Sequence, residues 1–205
     1  MLNKIKVFEK ELNYIKTDWI KALTKEVINN IPDYFFEIPA SSTGKYHPEY
    51  SLGKGGLLRH TKAACKIAND VLSLECYEQV DEHEEYSMRD IMIAALILHD
   101  SCKSGYKTEG KYTKHEHPLL AADLVRDTLD SKLKEEKTDT QIHHQLTWYI
   151  DTICNLISCH MGQWNTSNYS KEVLPKPEST AEMLVHTFDY LASRKYITIN
   201  LDDRF

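Results

Sequence analysis

Apolar residues recur along most of this chain at three- and four-residue spacing, the period of helices with one buried face. Between residues 4 and 29, Ile5, Phe8, Leu12, Ile15, Trp19, Leu23 and Val27 form one stripe, which predicts one amphipathic helix or two. Pro32 and Pro39 interrupt the pattern, and residues 39–57 read as a loop that closes on Gly53, Gly55 and Gly56. A helix is predicted from about Leu57 to Leu74, with Ala64, Ile67, Ala68 and Val71 inward. Residues 75–87 are acidic and loop-like; Ser87-Met88-Arg89-Asp90 then has the form of a capping box opening the next helix. Residues 101–116, with Gly105 and Gly110, read as a loop, and Pro118 suits the first turn of a helix over about 118–130. The charged stretch 131–146 reads as a ragged connection, Tyr149–Cys159 as a helix stopped by Gly162, and 162–177 as a loop with Pro175 and Pro177. Ser179-Thr180-Ala181-Glu182 is a second capping box, starting a helix to about Lys195. With no repeat, low-complexity tract or hairpin signal, the expected fold class is all-α.

One segment departs from the amphipathic pattern. Ile91 to Leu98 is apolar at every position, and the run ends in His99-Asp100. Burying a polar group without a partner costs about 2–7 kcal/mol, so an imidazole and a carboxylate at the end of such a run call for a partner. A bound metal ion is the usual remedy.

Composition narrows the setting. At 205 residues with 41% apolar content the chain suits one domain with a real core, or one domain with an elaborated end. A net charge of −6 argues against a general nucleic-acid coat, though not against a nuclease, whose metals supply local positive charge. The cysteines Cys65, Cys76, Cys102, Cys154 and Cys159 form no C-x-x-C pair, and their odd number suggests reduced thiols in a cytoplasmic setting. No run approaches the ~18–20 apolar residues of a membrane span, and no apolar stretch of secretory type follows Met1–Lys6.

The histidines fall at the edges of the predicted helices. His60 lies in the first turn of its helix, His99-Asp100 and His160 at helix C-terminal ends, His117 just before a helix, and Asp189 inside the last helix. C-terminal helix ends favour cations. Imidazoles with carboxylates suit Mn²⁺, Fe, Co²⁺, Ni²⁺ or Zn²⁺ better than Ca²⁺.

In this order, His60, His99-Asp100 and Asp189 resemble the H…HD…D signature of the HD-domain metal-dependent phosphohydrolases. Gly55-Gly56-Leu57-Leu58-Arg59-His60-Thr61 is similar to the G-G-L-L-x-H-T lead-in of the branch holding HD-type 3′→5′ exoribonucleases. Leu98-His99-Asp100-Ser101-Cys102-Lys103 resembles the H-D-x-G-K stretch, with Cys102 where the glycine usually stands. His117-Pro118-Leu119-Leu120-Ala121 and Ile157-Ser158-Cys159-His160-Met161-Gly162 resemble the two elements that mark dinuclear members, and Ile38-Pro39-Ala40-Ser41 with Tyr46-His47 is similar to the approach loop of the exoribonuclease branch. The resemblance covers about residues 35–195.

It implies a single all-α HD helical bundle, with residues 1–50 as N-terminal helices and approach loop packed on a core of 51–205. It also implies two divalent transition-metal ions, Mn or Fe favoured, bridged by Asp100. His60, His99 and Asp189 would hold one ion, and His117 and His160 the other. A hydroxide between the ions would attack phosphorus in line. Lys103 would hold a phosphate oxygen, with Arg194 as a further phosphate contact. His115 rivals His117 as a ligand, and His160 has an alternative as a helix-capping histidine. His186 reads as a supporting rather than a ligating residue, and His83, His143 and His144 as solvated. His47, Gln163 and Trp164 stand as substrate contacts beside ordinary loop packing.

The expected activity is hydrolysis of a phosphoester of a nucleotide or oligonucleotide end. The substrate would be a small nucleotide or short oligonucleotide, with no long nucleic acid and no membrane. A cyclic- or signalling-nucleotide phosphodiesterase and a dNTP or dNMP hydrolase share that chemistry. A di-iron HD oxygenase and a nucleotide sensor without turnover are the alternatives from other classes.

Overall fold

The computed structural model describes residues 2–81, 87–107, 112–135 and 140–201. His83 and Gly110 lie outside them, as do parts of the predicted stretches 75–87, 101–116 and 131–146. Among the described residues there are eight α-helices and no strand: α1 (Lys4–Val7), α2 (Glu9–Leu12), α3 (Asp18–Asn30), α4 (Gly56–Val71), α5 (Met88–Leu98), α6 (His117–Glu135), α7 (Thr140–Ser158) and α8 (Thr180–Ala192). The fold is all-α, and no described helix is long and apolar enough to cross a membrane.

The apolar run becomes the axis of the molecule. Every residue from Asp90 to Asp100 is buried, as a helix apolar on all sides must be. The helices α3, α4, α7 and α8 pack around α5. Each buried Ile, Leu or Met of α5 contributes about 1.5–3 kcal/mol, enough together to carry two polar groups at its end. Ser87 Oγ accepts the Asp90 N–H at 3.1 Å, the expected cap. The reciprocal half of the box does not form, because the Asp90 carboxylate is drawn away to the Lys16 and Thr17 N–H groups, both at 2.7 Å.

That contact explains a difference at the N-terminus. The stripe over 4–29 folds as three helices, not one or two, with a break before α3 where the chain is held on Asp90. Helical phase resets there. Ile20, Thr24, Val27 and Ile28 form the buried face of α3, while Trp19 and Leu23 are only partly buried. A buried Lys62–Glu11 ion pair at 3.0 Å, in which Lys62 also donates to the Val7 carbonyl at 2.7 Å, ties α2 and α1 to α4.

The charged 131–146 stretch is largely helical rather than a connection: α6 continues to Glu135 and α7 begins at Thr140. Ala122, Val125, Leu129 and Leu133 keep an inward row on α6. Lys134, the one charged side chain described in this stretch, is exposed, on the side away from that row. Helix α8 stops at Ala192, short of Lys195, because Ser193 Oγ turns back onto the Tyr190 carbonyl at 2.7 Å. Its N-terminal capping box is complete: Glu182 Oε2 accepts the Ser179 N–H at 2.9 Å, and Ser179 Oγ accepts the Glu182 N–H at 3.3 Å.

Candidate metal centre

Two glycines let the helices that carry the site approach closely. Gly55, with φ 69°, turns the chain into α4, and a Cβ on Gly56 would lie 2.2 Å from the Ser51 carbonyl oxygen. This contact seats the first turn of α4 against residues 49–51 and places His60. Arg59 fixes the same loop, its guanidinium donating to the carbonyls of Tyr50, Leu52 and Lys54 at 2.5, 2.9 and 2.9 Å. From the opposite side the Tyr50 hydroxyl donates to the Ala192 carbonyl of α8 at 2.7 Å. Neither Arg59 nor Tyr50 was legible as a supporting residue, since carbonyl contacts leave no sequence pattern.

His60, His99, Asp100, His117, His160 and Asp189 converge at one point, and all but Asp189 are fully buried. Asp100 lies at the centre. Its Oδ2 is 3.9 Å from His60 Nε2 and 3.4 Å from His99 Nε2. Its Oδ1 is 3.0 Å from His117 Nε2 and 3.6 Å from His160 Nε2. Asp189 Oδ1 joins the Oδ2 side, 2.8 Å from His60 Nε2 and 3.5 Å from His99 Nε2. His160 also falls within reach of His99 and Asp189, so it stands between the two groups.

Three of the four imidazoles are aimed by the backbone. His99, His117 and His160 hold Nδ1 at 2.7 Å from the carbonyl three residues earlier, Leu96, Lys114 and Ile157 respectively. A carbonyl only accepts, so Nδ1 carries a hydrogen and Nε2 is the nitrogen turned inward, as in metal-binding histidines. His186 Nδ1 donates to the His160 carbonyl at 2.7 Å. Gly162, at φ 55°, lies so close to the His186 ring that a Cβ would stand 2.3 Å from it. His186 therefore supports His160 rather than ligating.

The electrostatics are those of a cation site. Burial alone would raise the Asp100 carboxyl, but Lys103 and His99 beside it, with the His117 and His160 rings packed against its Oδ1 at 3.0 and 3.6 Å, hold it well below the usual carboxylate range. Asp189 is likewise held low, against burial, by His60 and His99. Burial lowers His117 to about 4 and lowers His160 too, so both are neutral donors at pH 7. His99 is opposite: against burial, Asp100 and Asp189 raise it to about 10. His99 Nε2 sits close enough to both carboxylates for charge attraction yet aligns as a hydrogen bond with neither, and His60 Nδ1 is a second buried nitrogen without a partner. Divalent transition metals fit this set of inward imidazole nitrogens and carboxylates.

The other candidate residues fall around the opening. Lys103 Nζ lies 2.8 and 2.7 Å from the two oxygens of Asp100. Asp189 and Lys103, with side chains 17% and 14% exposed, form the open edge of the cluster. His47 lies half-buried, with its ring 6.1 Å from that of His60, and burial together with His60 and Lys103 pulls it down to about 4. His115 points elsewhere, toward the Asn165 carbonyl at 3.3 Å. Gln163 is exposed; Arg194 lies on Tyr190 and Trp164 instead of on the cluster. Burial pushes the Cys102 and Cys159 thiols up to about 11 and about 12, so neither supplies a thiolate nucleophile at neutral pH.

This arrangement, on an all-α scaffold, coincides with a match to the HD-domain family model over residues 74–194, more than half of the chain. The protein belongs to the HD-domain family of metal-dependent phosphohydrolases. The match includes His99, Asp100, His117, His160 and Asp189 and begins after His60, which the fold nonetheless brings to Asp189. No curated protein and no solved structure matches the chain.

Proposed function

We propose that this protein hydrolyses a phosphoester of a nucleotide or of an oligonucleotide end, using two divalent ions shared through Asp100. The observation that carries the reading is the division of Asp100, with one oxygen facing His60 and His99 and the other facing His117 and His160. Ions held there supply an activated water and neutralise the charge that develops on the phosphate. The protein does the rest. Asp189 completes the Oδ2 side. The backbone carbonyls under His99, His117 and His160 fix their tautomers. Burial of the ligands keeps bulk water out and leaves Asp189 and Lys103 as the edge where a phosphate enters. Lys103, which lies on both Asp100 oxygens at the open edge, would meet a non-bridging phosphate oxygen there as a point charge once a cation took its place on Asp100.

The test is metal analysis of the purified protein followed by a screen of nucleotides, cyclic nucleotides and short oligonucleotides with Mn²⁺, with Asp100→Ala as control. About two ions per chain and Mn²⁺-dependent phosphate release are expected. A metal-loaded wild type inert toward every phosphoester, or consuming O₂ instead, overturns the proposal.

A further inference from the structure

Beside the open edge of the cluster lies a group of side chains that the metal chemistry does not use. Tyr190 directly follows Asp189, the most open of the six clustered residues. The Trp164 indole stacks on the Tyr190 ring with centroids 5.5 Å apart and planes 13° from parallel. The Arg194 guanidinium carbon lies 4.1 Å from the Tyr190 centroid and 5.2 Å from that of Trp164. The guanidinium thus lies within cation–π range of both rings. His186 ties this group to the metal cluster, its ring 6.0 Å from Trp164 and its Nδ1 on the carbonyl of His160.

The shelf is not closed off. Trp164 remains 40% exposed although Tyr190 and His186 pack against it. Among the described residues no carboxylate pairs with Arg194, whose one side-chain hydrogen bond is a long 3.4 Å contact from Nε to the Tyr190 carbonyl. A large exposed indole next to an uncompensated guanidinium, backed by a tyrosine, is the chemistry that stacks a nucleobase: a π-face, a cation for the ring system, and a rigid support.

We infer that Trp164, Tyr190 and Arg194 form a stacking shelf that selects phosphoesters carrying a nucleobase, with the base on Trp164 and the phosphate passing Asp189 into the cluster. The inference rests on the proposed phosphohydrolase reading and names its substrate class. It changes the part Arg194 plays, from a phosphate contact to a member of the base platform.

Intrinsic fluorescence tests it, because Trp19 and Trp148 stay in place as an internal reference. AMP should quench the wild type saturably, whereas ribose 5-phosphate should not. Trp164→Leu should abolish the quench and lower kcat/KM for AMP by about tenfold relative to ribose 5-phosphate, and Trp164→Phe, which keeps a ring, should restore most of that ratio. Equal losses on both compounds would mean that Trp164 only clips the 162–177 loop to α8, and would overturn the shelf; so would AMP quenching that survives in Trp164→Leu. If AMP binds through Trp164 but no phosphoester is cleaved, the shelf stands and the proposed hydrolysis fails.

Discussion

The two sides of Asp100 are built from different materials. The Oδ2 side holds two imidazoles and a second carboxylate, Asp189, and the protein keeps His99 positively charged there to about pH 10. The Oδ1 side holds imidazoles alone, lowered by burial, with His117 neutral above about pH 4. Two anions bind a divalent ion more tightly than one shared anion with neutral donors. If two ions bind as proposed, the Oδ2 side would therefore be the stronger site, and the Oδ1 side would depend on the carboxylate it borrows.

The largest effect should come from removing what both sides share. Asp100→Ala should leave less than one ion per chain and reduce phosphoester turnover by about 10⁴-fold or more, read by elemental analysis and initial rates. An Asp100→Ala protein that still holds two ions would end the view of Asp100 as the bridge. Next come the sides taken singly. His117→Ala should retain one ion and lose about a hundredfold in activity, whereas Asp189→Asn should weaken the first ion and with it the second. Equal stoichiometry in the two variants would erase the asymmetry.

Lys103→Met should separate binding from turnover. Without an ammonium on Asp100, ions should bind more tightly, while turnover falls about 10²–10³-fold if Lys103 carries phosphate charge. A variant with weaker metal binding would show that Lys103 supports the ligands instead.

Proton release sharpens the contrast further. A metal that takes His99 must displace a proton held up to about pH 10, so uptake on the Oδ2 side should release protons at neutral pH and strengthen as pH rises. His117, lowered to about 4, has none to lose above pH 6, so the Oδ1 side should be nearly flat there. Calorimetric titration in two buffers of different ionisation heat counts the protons. The smallest effect should come from Gly162→Ala. Its Cβ would meet His186, and φ 55° suits glycine, so about 1–2 kcal/mol of stability should be lost, lowering Tm by about 3–6 °C. The change should loosen His160 and so weaken the Oδ1 side more than the Oδ2 side, which His160 also reaches.

Legibility followed the range of the interaction. The all-α class, the buried α5 and the cap at Ser87 were readable, because hydrophobic period and capping depend on neighbours a few residues apart. The six clustered residues were readable as residue types at helix edges and as a resemblance. The connection read into 131–146 and the single stripe over 4–29 were not what folds. The first holds the end of α6 and the start of α7, and the second is broken by Asp90, more than seventy residues along the chain.

By itself, then, the sequence determined that a helical core would end in a histidine–aspartate pair, and which side chains had the chemistry to surround it. Only the tertiary structure decided which oxygen of Asp100 faces which imidazole, that His115 turns to Asn165 while His117 turns inward, and that Arg194 lies on Tyr190 and Trp164. Those choices are set by contacts between helices distant in sequence and by the carbonyl beneath each ring, neither of which a linear pattern encodes.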